Sequence, residues 1–152
     1  MEPASISGVQ LYISFSWWHC MDITVDTSAV MAVVLEEPVK KRIISLTQGA
    51  DILAPQSLRW EVGNALSSLL RRDLISVGEA HQAVSVFESI PIRFVDVELG
   101  DVVEIVGRHK IWAYDAYPIR CARRFRTSLL SLDKNQCRIA ELENITVLEI
   151  SS

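Results

Sequence analysis

Short apolar segments alternate with helical segments along most of the chain, and this alternation constrains the fold more than any other feature. The apolar segments are rich in Ile, Val and Leu and are bounded by polar, Gly or Pro residues, which is typical of buried strands. Helix-forming connections between short strands predict a parallel sheet that is covered on both faces. We therefore predict an α/β fold, a single three-layer domain with a parallel five-stranded sheet flanked by helices, with strands at residues 23–25, 51–54, 92–95, 128–132 and 147–150.

Four acidic residues stand at the ends or edges of these apolar elements: Asp26, Glu61, Asp115 and Asp133. A carboxylate beside a buried face destabilises the fold unless something pairs with it. Asp26 and Asp133 directly follow predicted strands, and parallel α/β folds bind ligands at the carboxyl ends of their strands. Taken singly, each acid has a simpler explanation, either as a helix cap or, for Glu61, as a surface acid. Four together indicate a shared partner, for which a divalent cation is the natural candidate.

The four carboxylates repel one another if they converge. Two unit charges about 4 Å apart repel by roughly 4 kcal/mol at an effective dielectric constant near 20. Several such pairs would remove much of a small domain's stability of about 5–15 kcal/mol. Either some of the acids are protonated, or a cation neutralises them. Because Mg²⁺ takes oxygen ligands and a bound metal promotes phosphodiester hydrolysis, we predict Mg²⁺ (or Mn²⁺) as the cofactor.

The composition argues against several other classes of protein. The 15 basic and 19 acidic residues give a formal net charge of −4, which argues against a surface coated with positive charge. A metal site would nevertheless reverse the local field of the acids, so nucleic acid is not excluded. No apolar run is long enough to span a bilayer, and we expect no membrane contact. The three histidines and three cysteines match no zinc-binding spacing, and the cysteines are read as reduced thiols of a cytoplasmic protein.

Residues 1–20 differ from the rest of the chain. They contain the adjacent aromatic residues Trp17 and Trp18, and they carry none of the basic residues with which a secretory signal peptide begins. Met21 stands just before the first predicted strand. We therefore interpret residues 1–20 as an N-terminal extension that is not part of the domain, and residues 21–152 as the domain itself.

Each of the four acids lies in a short stretch of sequence, and the order and spacing of the four stretches form one pattern. The stretches are Val25-Asp26-Thr27-Ser28, Ala54-Pro55 followed by Glu61-Val62-Gly63-Asn64-Ala65-Leu66, Tyr114-Asp115-Ala116, and Ser131-Leu132-Asp133. Each stretch alone is a weak signal. Together, from about residue 21 to residue 150, they resemble the PIN-domain family, and within it the VapC-type toxins of toxin–antitoxin pairs.

This resemblance implies a PIN-like fold and a Mg²⁺- or Mn²⁺-dependent endoribonuclease. It also implies an RNA substrate, a cognate antitoxin protein and a homodimer. Two alternatives stay open, a nuclease of the same fold that acts on structured DNA and a non-catalytic binding module. By position, the resemblance gives the catalytic, metal-binding role to Asp26, Glu61, Asp115 and Asp133, and a supporting role to Thr27, Asn64 and Ser131.

Basic and aromatic residues close to the acids each allow two interpretations. Arg120, Arg123 and Arg124 follow Asp115 and form either a solvated helix face or an edge that contacts RNA phosphates. Trp60 and Trp112 are expected in the hydrophobic core, where large aromatic rings are found more often than on surfaces that stack against bases.

Overall fold

The computed structural model describes residues 21–150 of the chain. The interpretation of residues 1–20 as an extension, with its aromatic pair Trp17 and Trp18, lies outside the described residues and stays a prediction.

Four parallel strands form one sheet, in the order β3-β2-β1-β4. Helices connect the strands, so the predicted α/β fold with a parallel sheet flanked by helices is confirmed. In chain order the elements are β1 (Ile23–Val25), α1 (Thr27–Val34), α2 (Lys40–Thr47), β2 (Ile52–Pro55), α3 (Ser57–Arg71), α4 (Val77–Ser89), β3 (Ile92–Val95), α5 (Leu99–His109), α6 (Ala113–Phe125), β4 (Ser128–Leu130) and α7 (Lys134–Leu142).

The expected fifth strand at residues 147–150 is wrong, because within the described residues this segment forms a single parallel bridge, between Leu129 and Val147. The pairing stops there because β4 itself ends after Leu130. The carbonyl oxygen of Ser131 accepts a hydrogen bond from Cys137 Sγ at 3.5 Å, where a fifth strand would need a backbone amide. The sheet therefore has four strands.

The sheet lies between two apolar layers, as expected for strands that are buried on both faces. Adjacent residues of β4 show this most directly. Leu129 packs with Ile119 in the cluster formed by α5, α6 and α7. Leu130 packs with Val30 and Leu58 in the cluster formed by α1 to α4. The predicted three-layer arrangement follows from this alternation of side chains.

Helix α7 was not among the predicted elements. Its start is set by Asp133, whose side chain accepts a hydrogen bond from the backbone amide of Gln136 at 2.9 Å. An Asp at this position is a strong N-cap signal, because the first turn of a helix leaves its amides without partners inside the helix. The longest described helix, α3, has 15 residues, and no helix within residues 21–150 is both long and apolar enough to cross a membrane.

A capping box fixes the start of α4, and we predict that breaking it destabilises the domain. Ser76 Oγ accepts from the backbone amide of Glu79 at 3.2 Å, and the Glu79 carboxylate accepts from the amide of Ser76 at 2.7 Å. Ser76→Ala should lower the free energy of unfolding by about 1 kcal/mol, measured by urea denaturation. Ser85→Ala, on the exposed side of the same helix, is the control and should be neutral or slightly stabilising. Equal losses in both variants would contradict this role for Ser76.

Candidate active site

The four candidate acids lie where the connections leave the carboxyl ends of the parallel strands. Asp26 directly follows β1, and Asp133 lies three residues beyond β4. Glu61 is on α3, which follows β2, and Asp115 is in the first turn of α6. Because the strands are parallel, their carboxyl ends share one edge of the sheet, and this is where open α/β folds bind ligands.

Asp26 is the most buried of the four, with 4% of its surface exposed. Its carboxylate caps α1 by accepting from the backbone amide of Ala29 at 3.0 Å. The hydroxyl groups of Ser28 and Ser131 both donate to it at 2.7 Å. Burial raises the pKa of Asp26 above its ordinary value, and these hydrogen bonds act in the opposite direction. The side chain is therefore fixed in one position as an acceptor.

The two serines also connect β1 to the turn after β4. Ser28 Oγ accepts from the backbone amide of Leu132 at 2.9 Å, and Ser131 Oγ accepts from that of Asp133 at 3.0 Å. Each hydroxyl thus donates to Asp26 and accepts from the backbone beside Asp133. Ser131 was predicted as a supporting residue, and that role stays a prediction. Ser28 was not singled out, although it stands in the stretch that carries Asp26.

Glu61 is held by two hydroxyl groups. Thr27 Oγ1 donates to its Oε2 at 2.7 Å, and Ser57 Oγ donates to its Oε1 at 2.9 Å. Burial raises the pKa of Glu61, the two hydroxyl groups lower it, and the negative charges of Asp26 and Asp115 raise it further. Thr27 was predicted as supporting, whereas Ser57 was not considered as a partner of Glu61.

Asp115 and Asp133 are joined by a residue that the sequence analysis missed. The backbone amide of Gln136 donates to the capping carboxylate of Asp133. The side-chain amide of Gln136 donates to the backbone carbonyl oxygen of Asp115 at 2.9 Å. Gln136 is buried, and its Oε1 has no partner within the described residues. Burial raises the pKa of Asp115, and the charge of Asp133 raises it further. No sequence signal pointed to Gln136, because its contact with Asp115 lies 21 positions away along the chain.

The acids therefore form an electrostatic series in which Asp26 acts on Glu61, Glu61 lies within reach of Asp115, and Asp115 lies within reach of Asp133. None of the four is in an ion pair with a basic residue among residues 21–150. Their unbalanced charge and all-oxygen donor set fit a hard divalent cation.

The described residues contain no group of three or more acidic, histidine or cysteine side chains that lies close enough together to enclose a metal ion. The four acids therefore do not form a closed cage of protein ligands in this structure. Mg²⁺ keeps several of its waters and is usually bound through one or two carboxylates and the substrate's phosphates.

The remaining predicted residues lie around this edge or away from it. Asn64 is exposed on α3, one helical turn beyond Trp60. The guanidinium groups of the three arginines are already paired, because Arg120 binds Asp101, Arg123 binds Glu143 and Arg124 binds Glu98. Contact between these arginines and RNA stays a prediction.

The expectation that Trp60 and Trp112 belong to the core is wrong. Trp60 is 68% exposed and Trp112 is 83% exposed. Helical spacing gives the reason for Trp60, since Leu58 and Val62 form the buried side of α3 and a residue midway between them faces the solvent. Trp112 precedes α6 as its N-cap residue and does not join either core cluster.

Comparison with known proteins places this arrangement in a family. The family model of the PIN domain matches residues 23–142, which include all four acids. The chain belongs to the PIN-domain family. No curated protein matches the sequence of this PIN domain.

Three solved structures share the fold of this PIN domain. PAE2754 from Pyrobaculum aerophilum is 18% identical, with 84% of this chain and 85% of that chain covered and a TM-score of 0.63. VapBC2 from Rickettsia felis, bound to a DNA fragment from their promoter, is 14% identical, with coverage of 84% and 98% and a TM-score of 0.62. FitAcB from Neisseria gonorrhoeae is 15% identical, with coverage of 84% and 97% and a TM-score of 0.59.

The crowded charge of this PIN domain predicts a specific dependence of stability on pH. Folding raises the pKa of Asp26, Glu61 and Asp115, so the folded state holds their protons more tightly than the unfolded chain does. The stability that these acids contribute is fully present at a pH below their pKa values in the unfolded chain, which are about 4. It is lost as the pH rises through their higher pKa values in the folded protein.

Asp115→Asn removes one of these charges. In EDTA at pH 7 it should raise the melting temperature, and the gain should shrink as the pH falls toward 4. Thermal scans across that pH range give the measurement. Glu88→Gln, on the exposed side of α4, is the control and should leave the melting temperature unchanged. A lower melting temperature for Asp115→Asn at pH 7 would show that the ionised carboxylate stabilises the fold.

Proposed function

We propose that this PIN domain is a metal-dependent endoribonuclease. The observation that carries the proposal is the electrostatically coupled series of four carboxylates at the carboxyl edge of the sheet, without a basic partner among the described residues. PIN domains are generally nucleases, and the VapC-like motifs described above favour RNA as the substrate.

Asp26, Glu61, Asp115 and Asp133 are the residues that would hold the metal. Mg²⁺ or Mn²⁺, when bound, supplies positive charge to the phosphodiester and makes water a stronger acid. The protein's own contribution is to orient the ligands. Asp26 is fixed by two serines and one backbone amide, and Glu61 is fixed by two hydroxyl groups. Such preorganisation removes the need to rearrange charged side chains during the reaction.

Asp26→Asn tests this assignment. The change removes one charge and keeps the shape, and the Ser131 hydroxyl can turn to accept from the new amide, so the fold should persist. Cleavage of a single-stranded RNA in Mg²⁺ or Mn²⁺ should fall by orders of magnitude, measured by gel electrophoresis of labelled RNA. Asp51→Asn, exposed just before β2 at the opposite edge of the sheet, is the control and should cleave like the natural sequence.

EDTA treatment and a comparison of substrates together separate this proposal from its two alternatives. A nuclease of either substrate class should stop cleaving in EDTA and recover with added Mg²⁺, and parallel reactions with RNA and with branched DNA identify the substrate. A non-catalytic module should cleave nothing under any condition. Undiminished RNA cleavage by folded Asp26→Asn protein would overturn the proposed site.

We further propose that the domain is a toxin that a cognate antitoxin restrains, and that it forms a homodimer. An apolar cavity of about 300 Å³ lies between α1, α2 and β3, and Ile43 and Ile44 of α2 line it. Ile44 is 49% exposed. Such a groove fits the apolar face of an amphipathic helix. Structural likeness to VapBC2 of Rickettsia felis supports this choice of partner.

Ile44→Lys should place a charge in the groove and weaken the antitoxin complex. The measurement is co-purification of the domain with the protein encoded by the neighbouring small gene, followed by cleavage assays of the complex. Leu142→Lys, at the exposed end of α7, is the control and should leave the complex intact. If the natural domain neither binds this protein nor is inhibited by it, the toxin proposal fails and the nuclease proposal stands. Sedimentation of the domain alone measures the homodimer.

A further inference from the structure

We infer that a pocket between Trp60 and Tyr114, beside Glu61, binds one base of the substrate strand by stacking. This inference rests on the proposed nuclease function, because it names how the substrate is recognised next to the same acids. It assigns a role to two exposed aromatic side chains and to Asn64, none of which hold the cation in the proposed site.

The pocket has a volume of about 270 Å³ and is formed by the first turns of α1 and α6 and the first half of α3. Its position is set by Glu61, which is both a wall of the pocket and a member of the acidic series. A base bound here would therefore place its own phosphate groups near the carboxylates. The pocket is lined by Thr27, Trp60, Glu61, Asn64, Ala65 and Tyr114.

The two aromatic walls are available to a ligand. Trp60 is 68% exposed and Tyr114 is 54% exposed. The ring of Tyr114 lies 6.0 Å from that of Tyr117 at a tilt of 55°, so a neighbouring ring supports it. Aromatic side chains of this kind stack on unpaired bases, whatever the identity of the base.

The charge of the pocket favours a base over a phosphate. Glu61 is the only residue of the lining with a formal charge, and it would repel an anion. The Thr27 hydroxyl is already engaged, since it donates to Glu61. Asn64 is exposed, and its amide can both donate to and accept from the edge of a base. A flat, neutral heterocycle with polar edges matches this combination.

The surroundings of Trp60 do not match the core of a protein–protein interface. Such cores are apolar and rich in large side chains. The exposed side of α3 continues from Trp60 with small or polar residues, namely Gly63, Asn64, Ser67 and Ser68. Along the exposed side of α3, the large aromatic surface is therefore confined to Trp60, which is too little for the core of such an interface.

Trp60→Ala tests the inference in the full chain with Mg²⁺ or Mn²⁺ present. Cleavage efficiency on a short single-stranded RNA should fall by roughly 10- to 100-fold, as the stacking energy of one base implies. Trp60→Phe should recover much of the loss. Trp112→Ala is the matched control, because Trp112 is even more exposed and does not line the pocket, and it should cleave like the natural sequence.

An abasic substrate makes the test specific. A series of RNAs is prepared, each lacking one base at a different position around the cleavage site. For one of them, cleavage by the natural protein should be as poor as cleavage of intact RNA by Trp60→Ala. Trp60→Ala should lose nothing more on that RNA, because the partner of the side chain is already missing. Additive losses, or equal losses in Trp60→Ala and Trp112→Ala, would overturn the inference. So would a loss confined to antitoxin binding or to dimer formation by sedimentation.

Binding by the Asp26→Asn protein separates this inference from the proposed function. Fluorescence anisotropy with intact and abasic RNA needs no cleavage. If the natural chain cleaves RNA but binding and cleavage do not depend on Trp60, the pocket is wrong and the nuclease stands. The natural chain could instead cleave no RNA, while Trp60→Ala weakens binding to intact RNA and not to abasic RNA. In that case the base-binding pocket stands and the nuclease proposal is wrong.

Discussion

The hydrogen bonds around Asp26 connect the fold of the sheet edge to the charge of the candidate site. One carboxylate caps α1, receives two serine hydroxyls and, through those serines, fixes the turn that follows β4. Asp133 follows in this turn, and its side chain caps α7. Two neighbouring strands thus end in one hydrogen-bonded unit. A change at either serine would move a candidate ligand and loosen the sheet edge together.

The buried carboxylate of Glu143 has surroundings opposite to those of the four candidate acids. Beyond the end of α7, Glu143 is surrounded by Arg108, His109 and Arg123. Although burial alone raises its pKa, hydrogen bonds from His109 and Arg108 hold the pKa of Glu143 below its ordinary value. At the carboxyl edge the acids receive hydroxyls and amides without a basic side chain within the described residues. The charge of Glu143 is thus balanced within the protein, whereas the acids at the carboxyl edge lack that balance, which in the proposed function a bound cation would supply.

The sequence predicts the framework of this fold because its signals are local. Short apolar runs give β1 and β3 their observed bounds, and the helical spacing of Leu58 and Val62 gives α3. The fifth strand was predicted wrongly because such signals are local: three of residues 147–150 are apolar, yet the segment pairs with β4 at one bridge only. Pairing depends on the partner strand, which local composition does not describe.

The acids of the candidate site could be predicted from the sequence, but the residues that hydrogen-bond to them could not. The acids stand out because they interrupt apolar elements, and the family motifs single out the same positions. Ser28 acts on a backbone amide 104 positions away, and Gln136 acts on a carbonyl 21 positions away, and no local pattern specifies such contacts. The exposure of Trp60 could have been predicted, because helical spacing places it opposite the buried side of α3.

The starts of the helices explain how one edge can carry both the acids and the pocket. Asp26 and Asp133 cap α1 and α7, and Asp115 lies in the first turn of α6. The positive end of each helix dipole stabilises such a charge by about 0.3–1 kcal/mol, less than the roughly 4 kcal/mol by which two charges repel at close range. The dipoles therefore offset part of the repulsion, while neighbouring acids still raise the pKa values of Glu61 and Asp115 in addition to burial. The same helix starts place Trp60 and Tyr114 beside Glu61, so substitutions in these first turns can change base recognition while the sheet beneath them stays as it is.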